Sequence, residues 1–353
     1  MKPLPFQNNE PQENGPQYLE DLATGYWYSE TLFTAVELGI FTLLEPEGKE
    51  LEKLAKRLYL NQAALQRFLE ALCALGLLEK HEEIYFNTRV SREFLVKGRE
   101  NYQGESILWR KNLVSNWRSL RRCLKKGGRV RFGKQDEGQE QIVRRIRRYG
   151  RAMGSVAKSK VTEILPFLDN LSLTGDILDV GSGPGTISVG LLEHFPDARA
   201  TLMDLPEVLD YARELLEKNE LGGRFDYQPA NILEPWELKK AHFDLIILSN
   251  IVHAYSEVEN VDVLDRAVAC LKPGGLILIH DFFLGHCQEK AALFDLNMFV
   301  NTFNGKVYGA EWVREQLEQR KLYVTELLPL GTDTALIFAA KAAESLQNLC
   351  LRR

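Results

Sequence analysis

From Thr174 onward, short apolar runs alternate with helix-length segments, and the first of them, "DILDVGSGPG" (176–185), empties directly into glycines. "ARATLMDLPEV", "RFDYQPANI", "FDLIILSN" and "GGLILIHDFF" follow, with helical stretches such as "PEVLDYARELLEKNE" and "NVDVLDRAVACL" between them. Runs this apolar are strands covered on both faces, and helices between them carry the chain back to start the next strand in the same direction. The pattern predicts a parallel, doubly wound α/β sheet that binds ligands at the C-terminal ends of its strands. The segment "LYVTELLPLGTDTALIFAA" (322–340) reads as two strands joined by a tight turn, so the last strand is antiparallel.

Residues 18–100 have a different rhythm. Leu51, Leu54, Ala55 and Leu58 mark one amphipathic helix and Leu65, Phe68, Leu69 and Leu72 the next, followed by a short hairpin in "LLEKHEEIYFN". Helix, turn, helix and two short strands make a winged helix, whose commonest use is DNA binding. The candidate recognition helix, "NQAALQRFLEALCALG", carries one arginine and one glutamate, too few donors for base and phosphate contacts. Packing or dimerisation is the better reading. Residues 1–17 are expected to be a disordered tail, 101–170 a helical linker, 171–342 the sheet domain and 343–353 a C-terminal tail.

The linker holds a concentrated charge. Residues 118–151 contain thirteen Lys or Arg against three Asp or Glu in a chain of net charge −5, so the rest carries about −15. "QIVRRIRRYGRAMG" alternates an apolar stripe (Ile142, Ile146, Tyr149, Met153) with a basic face. Two readings stand: a linker helix whose stripe packs inward, or a ridge for RNA. Interleaved exposed aromatics, which stack on bases, are missing from the second. The five cysteines lie far apart with no metal-ligand spacing, the pattern of reduced thiols in the cytoplasm, so neither disulfides nor a metal site is expected. No apolar run approaches bilayer length.

Gly181, Gly183 and Gly185 follow the first strand, where backbone N–H groups can approach a ligand unobstructed. The dinucleotide spacing GxGxxG is not met because Thr186 occupies the last position, and no GK[ST] follows to make a P-loop. Asp204 ends the second strand, where a carboxylate can accept both hydroxyls of a ribose. Asn231 follows the third, where an amide can meet an adenine edge. The plainer alternative is that these polar residues merely terminate strands.

"ILDVGSGPG", "LMDLP", "ANILEP", "NIVHAYS" and "LKPGGLILIHDFF", in this order, resemble the Rossmann-like sheet of class I S-adenosylmethionine-dependent methyltransferases. With the winged-helix half in front, the chain resembles the small-molecule O-methyltransferases typified by plant caffeate and animal acetylserotonin enzymes. The resemblance implies a homodimer interlocked through the N-terminal halves and a small aromatic or heteroaromatic acceptor. The residues themselves predict a cytoplasmic location from the cysteines, no metal because the carboxylates are not clustered, no membrane span, and nucleic acid as the weaker partner. The resemblance also implies that Gly181 and Gly183 hold the methionyl part of the cofactor, Asp204 its ribose, and Asn231 with Ile232 its adenine. Ser249 stands where the family often has Lys or Arg near the cofactor carboxylate. Tyr149 and Met153 match acceptor-pocket positions, with Met298 and Asn301 as further acceptor-binding candidates.

His253 follows the fourth strand and Asp281 ends the fifth. A phenol, pKa about 10, is mostly protonated at neutral pH, and imidazole lies about 3.5 units lower, so full prior deprotonation costs about 5 kcal/mol. A base acting during attack avoids that cost and is worth about 10²–10⁴-fold. His253 is therefore the expected general base, with Asp281 orienting it. The resemblance places a Glu at Asp281, one methylene longer, which leads to the expectation of a long or water-bridged pair here. A second family Glu is replaced by Val307. His280, alternating with Asp281, is expected either in the core or packed behind the residues that line the site. Methylation of carbon or nitrogen, and a dimeric scaffold without catalysis, are the competing readings.

Overall fold

A computed structural model describes residues 11–131, 138–218 and 220–351. It separates into two compact units, 1–112 and 113–353. The boundary falls inside the segment expected as a linker, because one helix runs through it.

The first unit contains α1 (Pro11–Thr24), α2 (Tyr26–Glu37), α3 (Ile40–Leu43), β1 (Lys49–Glu50), α4 (Leu51–Leu58), α5 (Gln62–Ala74), β2 (Leu78–His81), β3 (Ile84–Asn87) and α6 (Arg89–Phe94), and α7 (Gly104–Trp117) begins in it. The expected hairpin is there: β2 and β3 pair antiparallel, and β1 adds to β3. α5 begins at Asn61, whose side chain accepts from Ala64 N at 3.0 Å, an N-cap that satisfies one otherwise unpaired N–H. The same helix buries Leu65, Leu69 and Leu72, spaced to share one face, against Leu54, Phe41 and Tyr85. The tail expected to be disordered over 1–17 is helical from Pro11, with a break at Gly15; residues 1–10 lie outside the described residues.

The second unit contains α8 (Leu120–Lys126), α9 (Gln139–Ile164), β4 (Asp176–Val180), α10 (Thr186–His194), β5 (Arg199–Asp204), α11 (Pro206–Leu216), β6 (Phe225–Pro229) and β7 (Phe243–Ser249). It continues with α12 (Glu257–Cys270), β8 (Leu271–Asp281), β9 (Phe283–Leu284), α13 (Gln288–Asn301), β10 (Tyr308–Gly309) and α14 (Ala310–Gln319). β11 (Tyr323–Val324), β12 (Leu328–Pro329), β13 (Ala335–Ala340) and α15 (Ala343–Gln347) complete it. The sheet order is β11-β13-β8-β7-β4-β5-β6, parallel from β8 to β6, with β13 antiparallel to β8 and β12 also on β13. The predicted antiparallel finish is thus present, in three pieces instead of two. Alternation along the strands splits the core into two layers. Ile177, Leu202, Leu245, Ile247 and Leu278 pack beneath α9, α10 and α11, whereas Leu178, Met203, Ile246, Leu248 and Ile279 pack against α12 and α14. Residues 343–353 include a docked helix: Leu349 is buried in the first layer.

The inward face of α9 is not the stripe predicted for it. Gly150, Ala152, Lys160 and Ile164 are buried, while Tyr149 is 47% exposed and Ile142, Ile146 and Met153 are half-buried. Close approach sets the choice. A Cβ on Gly150 would lie 2.5 Å from the Tyr211 ring of α11, so the helix can seat only on its small-residue face. Arg147 Nη2 donates to both carboxylate oxygens of Glu214 on α11, at 2.7 and 2.8 Å, so part of the basic face meets acidic surface.

Candidate active site

The loop after β4 is shaped by three left-handed glycines, Gly181 (φ 67), Gly183 (φ 55) and Gly185 (φ 77). Side chains pay a steric penalty in that conformation, and contact adds to it at Gly181, where a Cβ would sit 2.3 Å from Ile251 Cδ1. Gly181 N and Ser182 N both donate to Met203 O, fastening the loop to β5. Gly183 N donates to Asp204 Oδ2 at 2.8 Å, and Leu205 N donates to Asp204 Oδ1 at 2.7 Å. Burial raises the Asp204 carboxyl pKa above its ordinary range, and these two N–H donors oppose the shift. Its charge also bears on Tyr149 and on Tyr255, whose phenol burial and nearby acids push up to about 12.

Two features show what such a loop suits. Among the described residues Ser182 Oγ is buried and meets no hydrogen-bond partner, a costly state unless a polar ligand meets it. Beside Gly183 none of the described residues lies within 4 Å of the position a Cβ would take, so the loop faces open space among them. α9 crosses close by: a Cβ on Gly154 would lie 3.3 Å from Thr186 Oγ1 and 3.5 Å from Pro184 Cγ. A carboxylate with acceptor capacity left for ribose hydroxyls, a glycine loop without side chains and the Ser182 hydroxyl fit an adenosyl amino acid. Asn231 is exposed and its amide already serves locally, accepting from Leu233 N at 3.1 Å and donating to Glu234; Ile232 is buried beside it. One lone pair of the Asn231 oxygen is thereby used within its own turn.

Across the sheet, β7 and β8 run parallel with Ser249 opposite His280. The chain leaves β7 through Asn250 (φ 57) into a single 3-10 turn, Val252–Ala254, that carries His253 back over the strand ends. His253 Nδ1 lies 2.5 Å from Asp281 Oδ1, and His253 N donates to Asp281 Oδ2 at 3.2 Å. The pair expected to be long or water-bridged is direct. The turn supplies the missing methylene of reach, since it brings the backbone of His253 itself onto the carboxylate. Asp281 is 1% exposed and His253 12%. An ionised carboxylate only accepts, so Nδ1 carries the proton and Nε2 is left with its lone pair. Asp281 also accepts from Phe282 N at 2.7 Å.

Two rings that the sequence did not single out stand beside this imidazole. Phe294 meets it edge-on at 5.0 Å, and Phe294 stacks on Phe282 at 3.8 Å and 23°. Phe294 lies on α13 at a spacing of three to seven residues from Asn297, Met298 and Asn301, so all four share one helical face. Met298 is buried. Asn301 Oδ1 accepts from Asn116 Nδ2 at 2.8 Å while its own Nδ2 donates to Asn297; Asn297 Oδ1 accepts from Trp117 Nε1 at 3.0 Å. The face was visible as a period of α13, but Asn116 and Trp117, some 180 residues earlier, carried no sequence signal. Val307 is buried, with its N donating to Asp295. Among the described residues no three His, Cys, Asp or Glu side chains gather as metal ligands, and no helix is long and apolar enough to cross a membrane.

Comparisons with known proteins identify the family and the fold. Residues 20–97 match the O-methyltransferase dimerisation domain and residues 126–322 the O-methyltransferase domain. The chain is 28% identical over 313 residues to the 3-hydroxy-5-methyl-1-naphthoate 3-O-methyltransferase of Streptomyces sahachiroi, covering 86% of this chain and 90% of that one. It is 27% identical over 269 residues to the N,N-dimethyltransferase OxyT of Streptomyces rimosus, covering 74% and 77%. The fold matches the crystal structure of human N-acetylserotonin methyltransferase in complex with SAM, with a TM-score of 0.79 and 22% identity over 95% of this chain and 100% of that one. The second of the two domain matches spans more than half of the 353 residues, and the chain belongs to the S-adenosylmethionine-dependent O-methyltransferases.

Proposed function

We propose that this enzyme methylates a hydroxyl of a small aromatic or heteroaromatic acceptor, with His253 as general base and Asp281 as the group that orients it. The observation that carries this reading is the direct His253–Asp281 hydrogen bond, which leaves Nε2 free to accept a proton. Bound S-adenosylmethionine supplies the electrophilic methyl group. Gly181 and Gly183 present the backbone of the loop after β4 to its methionyl part, and Asp204 accepts from its ribose. His253 Nε2 takes the hydroxyl proton as the acceptor oxygen attacks, and the buried Asp281 carboxylate stabilises the imidazolium that results. Phe282 and Phe294 wall the base with apolar surface, which excludes water and gives a flat ring something to stack against.

Named relatives act on a naphthoate and on N-acetylserotonin, both aromatic, which supports the acceptor class. The N,N-dimethyltransferase relative keeps amine acceptors in view. A neutral amine already has its lone pair for attack, however, and the held imidazole favours an acceptor that must lose a proton. Purified enzyme incubated with labelled cofactor and a panel of phenols and arylamines should label oxygen. His253→Ala should lose about 10²–10⁴-fold of the rate. An unchanged rate removes the base, and label on nitrogen alone removes the acceptor class.

The active form is proposed to be a cytoplasmic homodimer. The dimerisation-domain match supports the dimer, as do Leu19, Leu22, Tyr26 and Trp27, exposed on α1 and α2. Sedimentation equilibrium decides it, and a monomer at micromolar concentration sinks the proposal.

A further inference from the structure

Ser249 occupies a defined place relative to the glycine loop. β4 and β7 pair with Asp179 opposite Ile247, so continuing the register sets Ser249 level with Gly181. Asp204, on β5, lies on the other side of that loop. A ligand whose ribose sits at Asp204 and which crosses the glycines therefore brings its far end, the amino acid, to the end of β7. In the reading proposed above, that end carries the cofactor's carboxylate. This chain offers no Lys or Arg at the position; it offers a hydroxyl.

The hydroxyl is not left to rotate freely. His280 is directly opposite Ser249 on β8, and its Nδ1 lies 2.8 Å from Ser249 Oγ. On its other side, Nε2 lies 3.0 Å from Oγ1 of Thr334. His280 is fully buried and Thr334 nearly so. Burial pushes the His280 pKa down to about 4, so at neutral pH the ring is neutral, with one donor and one acceptor nitrogen. Alternation along β8 turns consecutive residues to opposite faces of the sheet. Asp281 faces the layer of α12 and α14 and holds His253, whereas His280 faces the layer of α9 and α10 and holds Ser249.

We propose that His280 is a positioning residue for the cofactor: the chain Thr334–His280–Ser249 aligns the Ser249 hydroxyl as a donor to the carboxylate of the bound adenosyl amino acid. Thr334 O–H donates to Nε2, Nδ1–H donates to Ser249 Oγ, and the serine proton is left pointing outward. In that alignment the serine oxygen already accepts, so its own hydrogen is committed to the ligand, and each bond in the chain polarises the next. This inference rests on the proposed cofactor placement.

Calorimetry with two product-like ligands tests it without turnover. S-adenosylhomocysteine contains the amino acid; methylthioadenosine has the same adenosyl sulfur without it. Ser249→Ala and His280→Leu should each weaken S-adenosylhomocysteine about tenfold, the worth of a hydrogen bond to a charged group, and leave methylthioadenosine within twofold. His280→Asn keeps a polar atom near the place of Nδ1 and should restore most of the selectivity. His280→Gln keeps one near Nε2, contacts Thr334 alone, and should not. Equal loss for both ligands, or equal behaviour of the Asn and Gln variants, overturns the relay. If the unaltered enzyme binds neither ligand, the cofactor placement itself is wrong, a result distinct from failure of the relay.

Discussion

His253 and Asp281 are 28 residues apart in the chain and 2.5 Å apart in space, because β7 and β8 run parallel and end level with one another. The buried carboxylate accepts from both the ring and the backbone of the same residue, which fixes the orientation of the imidazole and its tautomer.

Replacing Asp281 with Asn tests that tautomer. An amide in its place can donate to Nδ1, which moves the ring proton to Nε2 and removes the acceptor that the reaction needs. The rate should fall on the order of 10²–10⁴-fold while affinity for S-adenosylhomocysteine stays within a few-fold. Equal losses in rate and ligand affinity would show that Asp281 supports the fold of the strand ends and not the base.

Phe294→Ala removes the ring that meets His253 at 5.0 Å and stacks on Phe282. An aromatic pair contributes about 0.5–1.5 kcal/mol beyond its buried area, so KM for an aromatic acceptor should rise roughly threefold to tenfold. The effect should vanish in direct titrations of the cofactor product. A KM that does not move places the acceptor elsewhere.

Gly181→Ala faces two separate obstacles. The left-handed backbone costs a side chain about 1–2 kcal/mol, and the new Cβ meets Ile251 Cδ1 at 2.3 Å. Affinity for S-adenosylhomocysteine should fall tenfold or more. Ile251→Ala added to it relieves the contact and not the backbone strain, so rescue should be partial, as isothermal titration of the single and double variants will read.

Asp179, on β4, is buried with Ser188 Oγ donating to its Oδ2 at 2.7 Å. Burial pushes its carboxyl up to about 6, with the Asp204 charge acting the same way. The folded protein therefore holds a proton that the unfolded chain releases from about pH 4 upward. This group's contribution is most favourable at and below pH 4, falls as pH rises to about 6, and stays low above that, by about 3 kcal/mol in all. Asp179→Asn keeps an acceptor for Ser188 and should melt higher than the unaltered enzyme at pH 7.5, with the gap closing toward pH 4.5. A gap independent of pH in differential scanning calorimetry contradicts this.

The elements that could be read from the chain are those set by local pattern. Runs such as "FDLIILSN" are apolar at both parities because both faces of the sheet are covered, and β4 to β8 appear where these runs lie. The winged-helix face Leu65, Leu69, Leu72 follows from helical period alone. Ser249 was legible as a departure from a basic residue, whereas His280 read as either a core histidine or one behind the site, and only the register of β7 against β8 gave it Ser249 as a partner.

Local pattern failed where close approach decides. The apolar stripe of α9 pointed to Tyr149 as an inward residue, whereas Gly150 against Tyr211 seats the helix on its small residues. The reach of Asp281, judged too short from its side-chain length, was restored by a 3-10 turn that moves the backbone of His253. The period-two and period-three-to-four burial patterns, the glycine loop and the order of acids at strand ends were thus properties of the sequence. Which polar groups meet was settled by strand register and helix seating, because hydrogen bonds depend on distances of a few tenths of an ångström that no one-dimensional spacing contains.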